Sequence, residues 1–449
     1  MHSGSRWRYT LVLAMLATIA GALAGTGASA QSEPAVDDLG VFGQLGYEDP
    51  DSGEDFPAAG VTIEIVGIGS TETDENGEFR IAVPEPGGYT VTLDVETLPE
   101  GVNLRNPDAN PLEATVNDRD RRVLFPLVFG EAEDSTTGAI TFRRVAQLTA
   151  EGLKQGLYLA MAAIGLTLIF GTTGLVNFSH AELVTWGMLA TYFFNYYGLA
   201  GAIGFLAPLP PPFGGGMNLV FAALLGMLSG AALGWFLNRF IFRGARRAGV
   251  SLIAQMVMTI GLSILLRYVF VYVFRGAPRS FADFTAQRAV TLGPIELTPK
   301  DLVAMGLSVL ILVGVASYLE LTRMGKAMRA VSDNRELAES TGIDVERVIS
   351  LVWMSGAALA ALSGTFFGLD QVKWDFGFRI LLLIFASVTL GGLGRPYGAL
   401  LGALVVGLTI NLSTLLIDAE VKNMVALLML ALILLFRPQG ILGRAERIG

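Results

Sequence analysis

Polar and ionisable side chains interrupt an otherwise apolar stretch around residues 165–190. Asn177, Ser179, His180 and Glu182 follow closely on the apolar run 165–171. Such groups are costly at membrane depth unless they are buried in protein or face water. They therefore predict a break in a helix that lines a solute path or packs against another helix. His180 could be a pathway residue, a pH-sensitive latch or a buried hydrogen-bonding group, and the sequence leaves these alternatives open.

A second polar stretch has the spacing of two capped helices joined by a glycine. Asp333 can cap a short helix, with Glu336 three residues later as in a capping box. Gly342 is placed to end that helix, and Asp344 can cap the next one. The pattern predicts a rigid, charged elbow that receives force from a soluble partner. An ordinary loop between two membrane spans is the alternative.

A third stretch is rich in glycine. Gly391, Gly392 and Gly394 precede Arg395 and Pro396. Glycine permits tight backbone turns and close helix approach. This stretch predicts either a junction between two tilted helices or a re-entrant hairpin.

The composition excludes several kinds of active site. The chain has no Cys and two His, which excludes a disulfide framework or a thiol nucleophile and disfavours a multi-His metal site. The Gly325–Lys326 pair continues with Ala327 and lacks the phosphate-cradling motif of ATPases. We expect no catalytic residue, metal or cofactor. A polytopic membrane enzyme would need a cluster of reactive groups, and His180 with Glu182 is too small a cluster.

The second part of the chain is predicted to span a membrane repeatedly. Hydrophobic residues make up 52% of the 449 residues, and the mean hydropathy is +0.54. A span needs about 20 predominantly apolar residues. The sequence predicts a polytopic α-helical membrane protein with about eight to nine transmembrane helices. The candidate spans are 148–171, 175–197, 217–242, 250–274, 301–320, 348–369, 378–393, 396–416 and 421–436.

Basic residues predict the orientation of these spans. Cytoplasmic loops carry an excess of Lys and Arg. If the chain enters from outside, clusters after the third, fifth and ninth spans all lie in the cytoplasm, with the C-terminus. These clusters contain Arg239, Arg243, Arg246, Arg247, Arg323, Lys326, Arg329, Arg437, Arg444 and Arg447. In this orientation the polar break lies toward the cytoplasmic side, which argues against substrate contact from outside.

The N-terminal part differs in charge and pattern. Residues 1–30 have the positive start, apolar core and Ala28-Ser29-Ala30 ending of a signal peptide. Residues 31–135 carry 24 acidic and 5 basic side chains. Alternating stretches within 36–130 predict a small all-β sandwich outside the cytoplasm, and 131–146 a linker. The run 73–79 resembles the carboxypeptidase regulatory-like (transthyretin-like) family, which implies a fold and almost nothing about function.

The motifs of residues 147–445 resemble the permease family of branched-chain amino-acid ABC importers. Glu336-Leu337-Ala338 followed by Gly342-Ile343 is similar to the coupling loop of importer permeases. The break at residues 177–182 and the stretch 391–394 have close counterparts in the same family. The resemblance implies an ATPase-coupling loop that contains Arg329, Asp333, Glu336, Ala338, Gly342, Ile343 and Asp344. It implies a translocation path or helix break at Asn177, Ser179, His180, Glu182, Gly391, Gly392 and Gly394.

This resemblance implies the membrane subunit of a bacterial importer in the cytoplasmic membrane, with substrates such as branched-chain amino acids. Its partners would be separate ATPase subunits, a second permease subunit, an extracytoplasmic solute-binding protein and the lipid bilayer, and not nucleic acid. The N-terminal extension departs from typical members and leaves urea or short amides as an alternative substrate class. A secondary transporter is a further alternative. It would need charges near mid-span, where Arg267 is the one clear candidate, toward the outer end of its span.

Overall fold

The computed structural model describes most of the chain as two compact units. The described residues are 39–48, 55–85, 87–104, 110–116, 121–123, 125–130, 141–201, 215–274, 276, 278–284, 287, 289–417, 421–437 and 439–441. The predicted signal peptide and most of the predicted linker lie outside them. Contacts divide the chain into residues 29–139 and a unit that contains residues 140–449, and each is described by itself.

The N-terminal unit consists of short strands around an apolar core. They are β1 (Gly40–Gln44), β2 (Gly46–Glu48), β3 (Asp55–Pro57), β4 (Thr62–Ile65), β5 (Gly69–Glu72), β6 (Glu78–Ala82), β7 (Gly87–Leu93), β8 (Val102–Leu104), β9 (Leu112–Val116), β10 (Arg121–Arg122) and β11 (Leu127–Phe129). They form a four-stranded sheet of order β5-β4-β7-β9, a three-stranded sheet of order β10-β1-β6, and the pairs β8-β11 and β2-β3.

Alternating sequence explains which face of these strands is buried. In β6, Phe79 and Ile81 point into the core, while Glu78, Arg80 and Ala82 are exposed. Asp74 forms the turn before β6, where its Oδ1 accepts hydrogen bonds from the Asn76 and Glu78 amides at 2.9 and 2.7 Å. Gly77 completes this turn at φ +73°, with the Leu45 carbonyl where a side chain would start. Residues 74–77 therefore form the tight turn that leads into β6.

The second unit is helical. Its helices are α1 (Phe142–Thr173), α2 (His180–Tyr197), α3 (Leu219–Arg247, with a π-helical turn at Asn238–Phe242), α4 (Leu252–Phe274), α5 (Pro299–Leu321), α6 (Arg323–Asp333), α7 (Arg335–Ser340), α8 (Val345–Phe367), α9 (Phe376–Gly391), α10 (Pro396–Ser413) and α11 (Lys422–Phe436). A hairpin of β12 (Val290–Leu292) and β13 (Ile295–Leu297) precedes α5.

A helix lies at each of the nine predicted spans, but the helices are not equivalent. Within the described residues, six are long and apolar enough to cross a membrane: α1, α3, α4, α5, α8 and α10. The helices α9 and α11 are apolar but shorter. The chain is therefore a polytopic helical membrane protein with about six such spans and additional shorter helices.

Glycines let the central helices approach closely. A Cβ atom at Gly165 in α1 would lie 2.5 Å from the carbonyl oxygen of Gly356 in α8. One at Gly364 in α8 would lie 1.9 Å from the carbonyl oxygen of Val184 in α2. Small residues at helix crossings permit this backbone contact, which drives association inside a bilayer. The most apolar parts of α1 and α8 are 78% and 67% buried, compared with 17% in α4 and 22% in α5.

Candidate functional site

The chain turns back into the bundle after α1. The helix ends at Thr173, and Gly174 follows in the left-handed conformation with φ +69°. Residues 174–179 then return alongside α1, so that His180 Nε2 donates a hydrogen bond to the Ala162 carbonyl at 3.0 Å. Because a helix rises 1.5 Å per residue, Ala162 lies about 16 Å from the end of α1. The break begins at the predicted end of the span, but His180 lies well inside it.

Contacts with α4 also show that the start of α2 lies deep inside the helical unit. The Phe178 amide donates to Thr259 Oγ1 at 3.1 Å. Ser263 Oγ donates to Glu182 Oε1 at 3.2 Å, and Ser263 is the middle residue of α4. The start of α2 is therefore level with the middle of a membrane-spanning helix.

The side of α4 that faces the break carries a stripe of polar residues. Gln255, Thr259, Ser263 and Arg267 recur every fourth residue, which places them on one helix face. Gln255 and Thr259 are buried, and Ser263 and Arg267 are half-buried. Of these four residues only Arg267 was expected from the sequence to matter, although the four-residue spacing is visible there.

The predicted residues of the break come together, but their hydrogen bonding is incomplete. Asn177, Ser179, His180 and Glu182 are all almost fully buried. Asn177 Oδ1 accepts from the Ser179 amide at 3.1 Å and from Ser179 Oγ at 2.6 Å. Within the described part of the chain, Asn177 Nδ2, His180 Nδ1 and Glu182 Oε2 have no hydrogen-bond partner. Buried polar atoms are normally paired, so these three require an explanation.

The beginning of α9 lies against the beginning of α2. The Gly377 amide donates to Thr185 Oγ1 at 2.8 Å. A Cβ atom at Gly377 would lie 2.2 Å from the Ala181 carbonyl oxygen, so only glycine fits there. The two helix N-termini therefore meet inside the bundle, next to the polar stripe of α4.

The predicted elbow is present, but one of its caps was assigned to the wrong residue. Asp333 is the last residue of α6 and does not cap α7. Asn334 is the cap, and its Oδ1 accepts from the Leu337 amide at 2.9 Å. Glu336 consequently lies at the second helical position instead of the third, and the predicted capping-box pair with Asp333 is wrong. Adjacent Asp and Asn are equally good caps by residue type, so the sequence could not distinguish them.

The other end of α7 follows the prediction. Gly342 has φ +87°, and its amide donates to the Glu339 carbonyl at 3.0 Å. The Ile343 amide donates to the Ala338 carbonyl at 3.1 Å, which completes a Schellman motif. Asp344 Oδ1 then accepts from the Arg347 amide at 3.0 Å and caps α8. Within the elbow, Ala338 is buried, whereas Arg329 and Leu337 are exposed, Leu337 by 62%.

Glu346 joins the elbow to the end of α3. Its Oε2 lies 3.1 Å from Arg243 Nε and 3.2 Å from Arg246, and its Oε1 lies 3.3 Å from Arg335 of α7. Arg246 also donates to Asn238 Oδ1 at 2.8 Å. This cluster could not be predicted from the sequence because Arg243 and Arg246 lie about 100 residues before Glu346 in the chain.

The glycine stretch 391–394 is a turn between neighbouring helices. Gly391 ends α9, and Gly392 and Gly394 have φ values of +104° and +79°. A Cβ atom at Gly391 would lie 2.0 Å from the Gly398 carbonyl oxygen at the start of α10. Of the two predicted alternatives, the structure therefore shows the junction between two helices. The Ile441 amide donates to the Leu390 carbonyl at 2.6 Å and completes the end of α9.

Comparison with known proteins agrees with this architecture. Residues 148–434 match the family described as "Branched-chain amino acid transport system / permease component". The chain belongs to this permease family. It is thus a transport subunit of the bacterial inner membrane and not an enzyme, and ATP hydrolysis takes place on separate subunits.

Curated relatives cover the same part of this permease. The chain is 29% identical over 303 residues to the high-affinity branched-chain amino acid transport system permease protein LivH of Escherichia coli, which is 66% of this chain and 94% of LivH. It is 27% identical over 307 residues to BraD of Pseudomonas aeruginosa, with coverage of 67% and 96%. A probable LivH of Methanocaldococcus jannaschii is 26% identical over 296 residues, with coverage of 64% and 88%. No solved structure matches the chain.

The permease has a cavity of about 450 Å³ beside the elbow. It lies between the end of α1, the helices α6 and α7, and the turn that joins α9 to α10. Its lining includes Gly171, Ser332, Arg335, Gly394 and Arg395. The elbow, the end of α1 and the glycine turn therefore share one space on the same side of the bundle.

Proposed function

We propose that this chain is the membrane-spanning permease subunit of an ATP-binding-cassette importer that translocates branched-chain amino acids across the cytoplasmic membrane. Its relatives LivH and BraD are named as permease proteins of such systems. The observation that carries the proposal is the elbow formed by α6, α7 and the start of α8. It is a rigid helical projection whose exposed residues are available to a soluble motor.

The exposed side of α7 would contact the ATPase. Leu337 is 62% exposed and lies on a different side of the helix from the buried Ala338. The Schellman motif at Gly342 and the cap at Asp344 link α7 to α8, which is packed closely against α1 and α2. Displacement of α7 by ATP-driven closure would therefore be transmitted to the helices around the break. The path would switch between outward-facing and inward-facing states as nucleotide binding favours one of them.

The translocation path would pass the break at Asn177, Ser179, His180 and Glu182. These groups lie at the depth of the middle of α4 and face its polar stripe. Polar groups at that depth are expected beside a solute path or a protein contact. Gly391, Gly392 and Gly394 would form the turn that lets α9 move against α10.

The complete transporter would contain several partners. We expect separate ATPase subunits under the elbow, a second permease subunit, a solute-binding protein outside the membrane, and surrounding lipid. The nine helices α1–α5 and α8–α11 would all cross or enter the membrane, with a cytoplasmic C-terminus. The basic clusters at the end of α3 and after α5 and α11 support this orientation.

The N-terminal unit would be an extracytoplasmic β-sandwich of the carboxypeptidase regulatory-like type, exported by a signal peptide at residues 1–30. Its two larger sheets and their alternating buried residues support a sandwich. It would help to dock the solute-binding protein. Deletion of residues 36–130 without any loss of uptake would contradict this role.

Uptake by the reconstituted transporter tests the proposed function. The complex with its ATPases and binding protein is placed in liposomes, and ATP-dependent uptake of labelled leucine, isoleucine, valine and urea is measured. We expect uptake of the aliphatic amino acids. Uptake of urea alone would assign the chain to the urea or amide class, and uptake without ATP would indicate a secondary transporter.

A pair of substitutions tests the elbow. Leu337→Ala removes an exposed apolar side chain that would be buried against the ATPase, and such burial is worth about 1.5–3 kcal/mol. We expect ATPase association to weaken by about tenfold or more. Glu339→Ala, on the same exposed helix, is the matched control and should change association by less than about threefold. Equal effects of the two substitutions would contradict the proposed contact.

A further inference from the structure

Glu182 and Arg267 carry opposite charges, lie near the level of the middle of α4, and are incompletely paired. Glu182 is 1% exposed, and its Oε1 accepts from Ser263 Oγ at 3.2 Å. Arg267 lies on the same face of α4, one helical turn beyond Ser263. The two charges interact electrostatically, but no direct hydrogen bond or ion pair between them is present in the described residues.

Each charge keeps free hydrogen-bonding capacity. Glu182 Oε2 has no hydrogen-bond partner among the described residues. The Arg267 guanidinium lies over two aromatic rings instead of against a carboxylate. Its Cζ is 4.3 Å from the ring centroid of Phe378 and 5.4 Å from that of Trp374. A cation–π contact is not a hydrogen bond, so it leaves N–H groups of the guanidinium available for a further partner.

A purely structural ion pair would look different. A buried carboxylate and guanidinium that only hold two helices together are expected to form a direct, often bidentate, hydrogen-bonded pair, because an unsatisfied buried charge is costly. Here Glu182 contacts the neutral hydroxyl groups of Ser263 and Thr185. The Arg267 guanidinium lies over rings that belong to α9 and the loop before it. Phe378 is 56% exposed and Arg267 is half-buried, so the guanidinium lies close to the surface of the isolated subunit. An arginine at that depth must face water or another protein chain.

We propose that Glu182 and Arg267 form a binding site for the zwitterionic head group of an α-amino acid during translocation. Glu182 Oε2 would accept a hydrogen bond from the substrate ammonium group, and Arg267 would donate to its carboxylate. The Phe178 ring, which packs on Phe385 at 5.0 Å, would provide an apolar wall for an aliphatic side chain. This inference rests on the proposed function and adds the residues that would recognise the substrate.

The Glu182 half of the site is tested by two variants in the reconstituted complex. Glu182→Gln keeps the shape and the contact with Ser263 but removes the charge. We expect the maximal rate of leucine uptake to fall by about tenfold or more, because a hydrogen bond to a charged group is lost. KM should not change, since the solute-binding protein sets it. Glu182→Asp keeps the charge and should retain uptake within about threefold.

The Arg267 half is tested in the same way. Arg267→Gln should lower the maximal rate by about tenfold or more, and Arg267→Lys should be less severe because it keeps a cation. Arg379→Gln is the control. Arg379 is a nearby arginine in α9 whose side chain is 60% exposed and paired with Asp375. We expect this control to transport leucine at nearly the wild-type rate.

Stimulation of ATP hydrolysis by the loaded binding protein is measured on every variant. Normal stimulation with reduced uptake in Glu182→Gln and Arg267→Gln supports the site. Normal uptake in both variants would overturn it, and so would a loss in Glu182→Asp that equals or exceeds the loss in Glu182→Gln, because keeping the negative charge would then not preserve transport. The wild-type complex tests the proposed function separately: if it takes up urea but no amino acid, the proposed function itself fails.

Discussion

The break before α2 and the elbow before α8 both reverse the direction of the chain, but they treat their polar groups differently. In the elbow, Asn334, Gly342 and Asp344 satisfy the helix ends, and Glu346 contacts three arginines. In the break, three buried polar atoms have no partner among the described residues. Groups that only maintain a fold are normally paired. The contrast is the one that the proposed roles predict, in which the elbow transmits force and the break exchanges contacts with a solute.

The elbow and the break also differ in the contacts that fix their conformation. The elbow is fixed by capping and ion pairs at the surface of the helical unit. The break is fixed by backbone contacts, in which α8 and α9 lie against α2 through Gly364 and Gly377. Substitutions should therefore act by steric clash at the break and by lost electrostatic or capping contacts at the elbow.

The largest effect on the free energy of unfolding is expected at the contact between α2 and α8 beside the break. In Gly364→Ala the new Cβ atom would lie 1.9 Å from the Val184 carbonyl oxygen, so α2 and α8 must separate. We expect a loss of about 3 kcal/mol or more in the free energy of unfolding. Gly306→Ala in α5, where no atom lies within 4 Å, should be neutral or slightly stabilising. Thermal unfolding in detergent measures both, and similar melting temperatures would contradict the packing argument.

The next effect concerns the charge cluster of the elbow. Glu346→Gln removes the anion shared by Arg243, Arg246 and Arg335, and the Arg246 side chain is only 8% exposed. Leaving that cation without its carboxylate should cost about 2 kcal/mol. Glu339→Gln on exposed α7 should change stability by less than about 0.5 kcal/mol. A loss that is equally small in both variants would show that the cluster does not stabilise the elbow.

A smaller effect is expected at the glycine that ends α7. Gly342 has φ +87°, a conformation that costs a residue with a Cβ atom about 1–2 kcal/mol. Gly342→Ala should therefore destabilise the permease by about 1.5 kcal/mol. Gly342→Asn should cost less, because Asn tolerates the left-handed region better. If both variants unfold at the wild-type temperature, the Schellman motif contributes nothing to stability.

The smallest effect tests which acidic residue is a cap. Asp344→Ala removes the acceptor for the Arg347 amide and should cost about 1 kcal/mol. Asp333→Ala should have almost no effect, because Asp333 ends α6 and caps no helix. The two melting temperatures decide the assignment, and a greater loss in Asp333→Ala would restore the cap predicted from the sequence.

Local features of the site could be predicted from the sequence, because they depend on neighbouring residues. The positions of the helices, the role of Gly342 and the cap at Asp344 all follow from spacing along the chain. The cap at Asn334 was missed because two suitable residues are adjacent. Features set by distant contacts could not be predicted. Periodicity does not show that residues 174–179 turn back along α1, nor that Glu346 meets arginines that lie far away in the sequence.

The polar stripe of α4 could be predicted only in part from the sequence. The spacing of Gln255, Thr259, Ser263 and Arg267 was present in the sequence, but small hydroxyl residues are common in membrane helices and gave a weak signal. Only the contacts with Phe178 and Glu182 show that the stripe faces the break.

The hydrogen bond from Ile441 to Leu390 has a consequence for biosynthesis. The two residues are about fifty positions apart, so ribosomes that add 5–20 residues per second need roughly 3–10 s to reach the second after the first. During that interval the end of α9 lacks the donor that later completes it, while α10 and α11 are still being inserted. The end of α9 and the adjoining glycine turn at residues 392–394 would thus reach their final form only after Ile441 has left the ribosome.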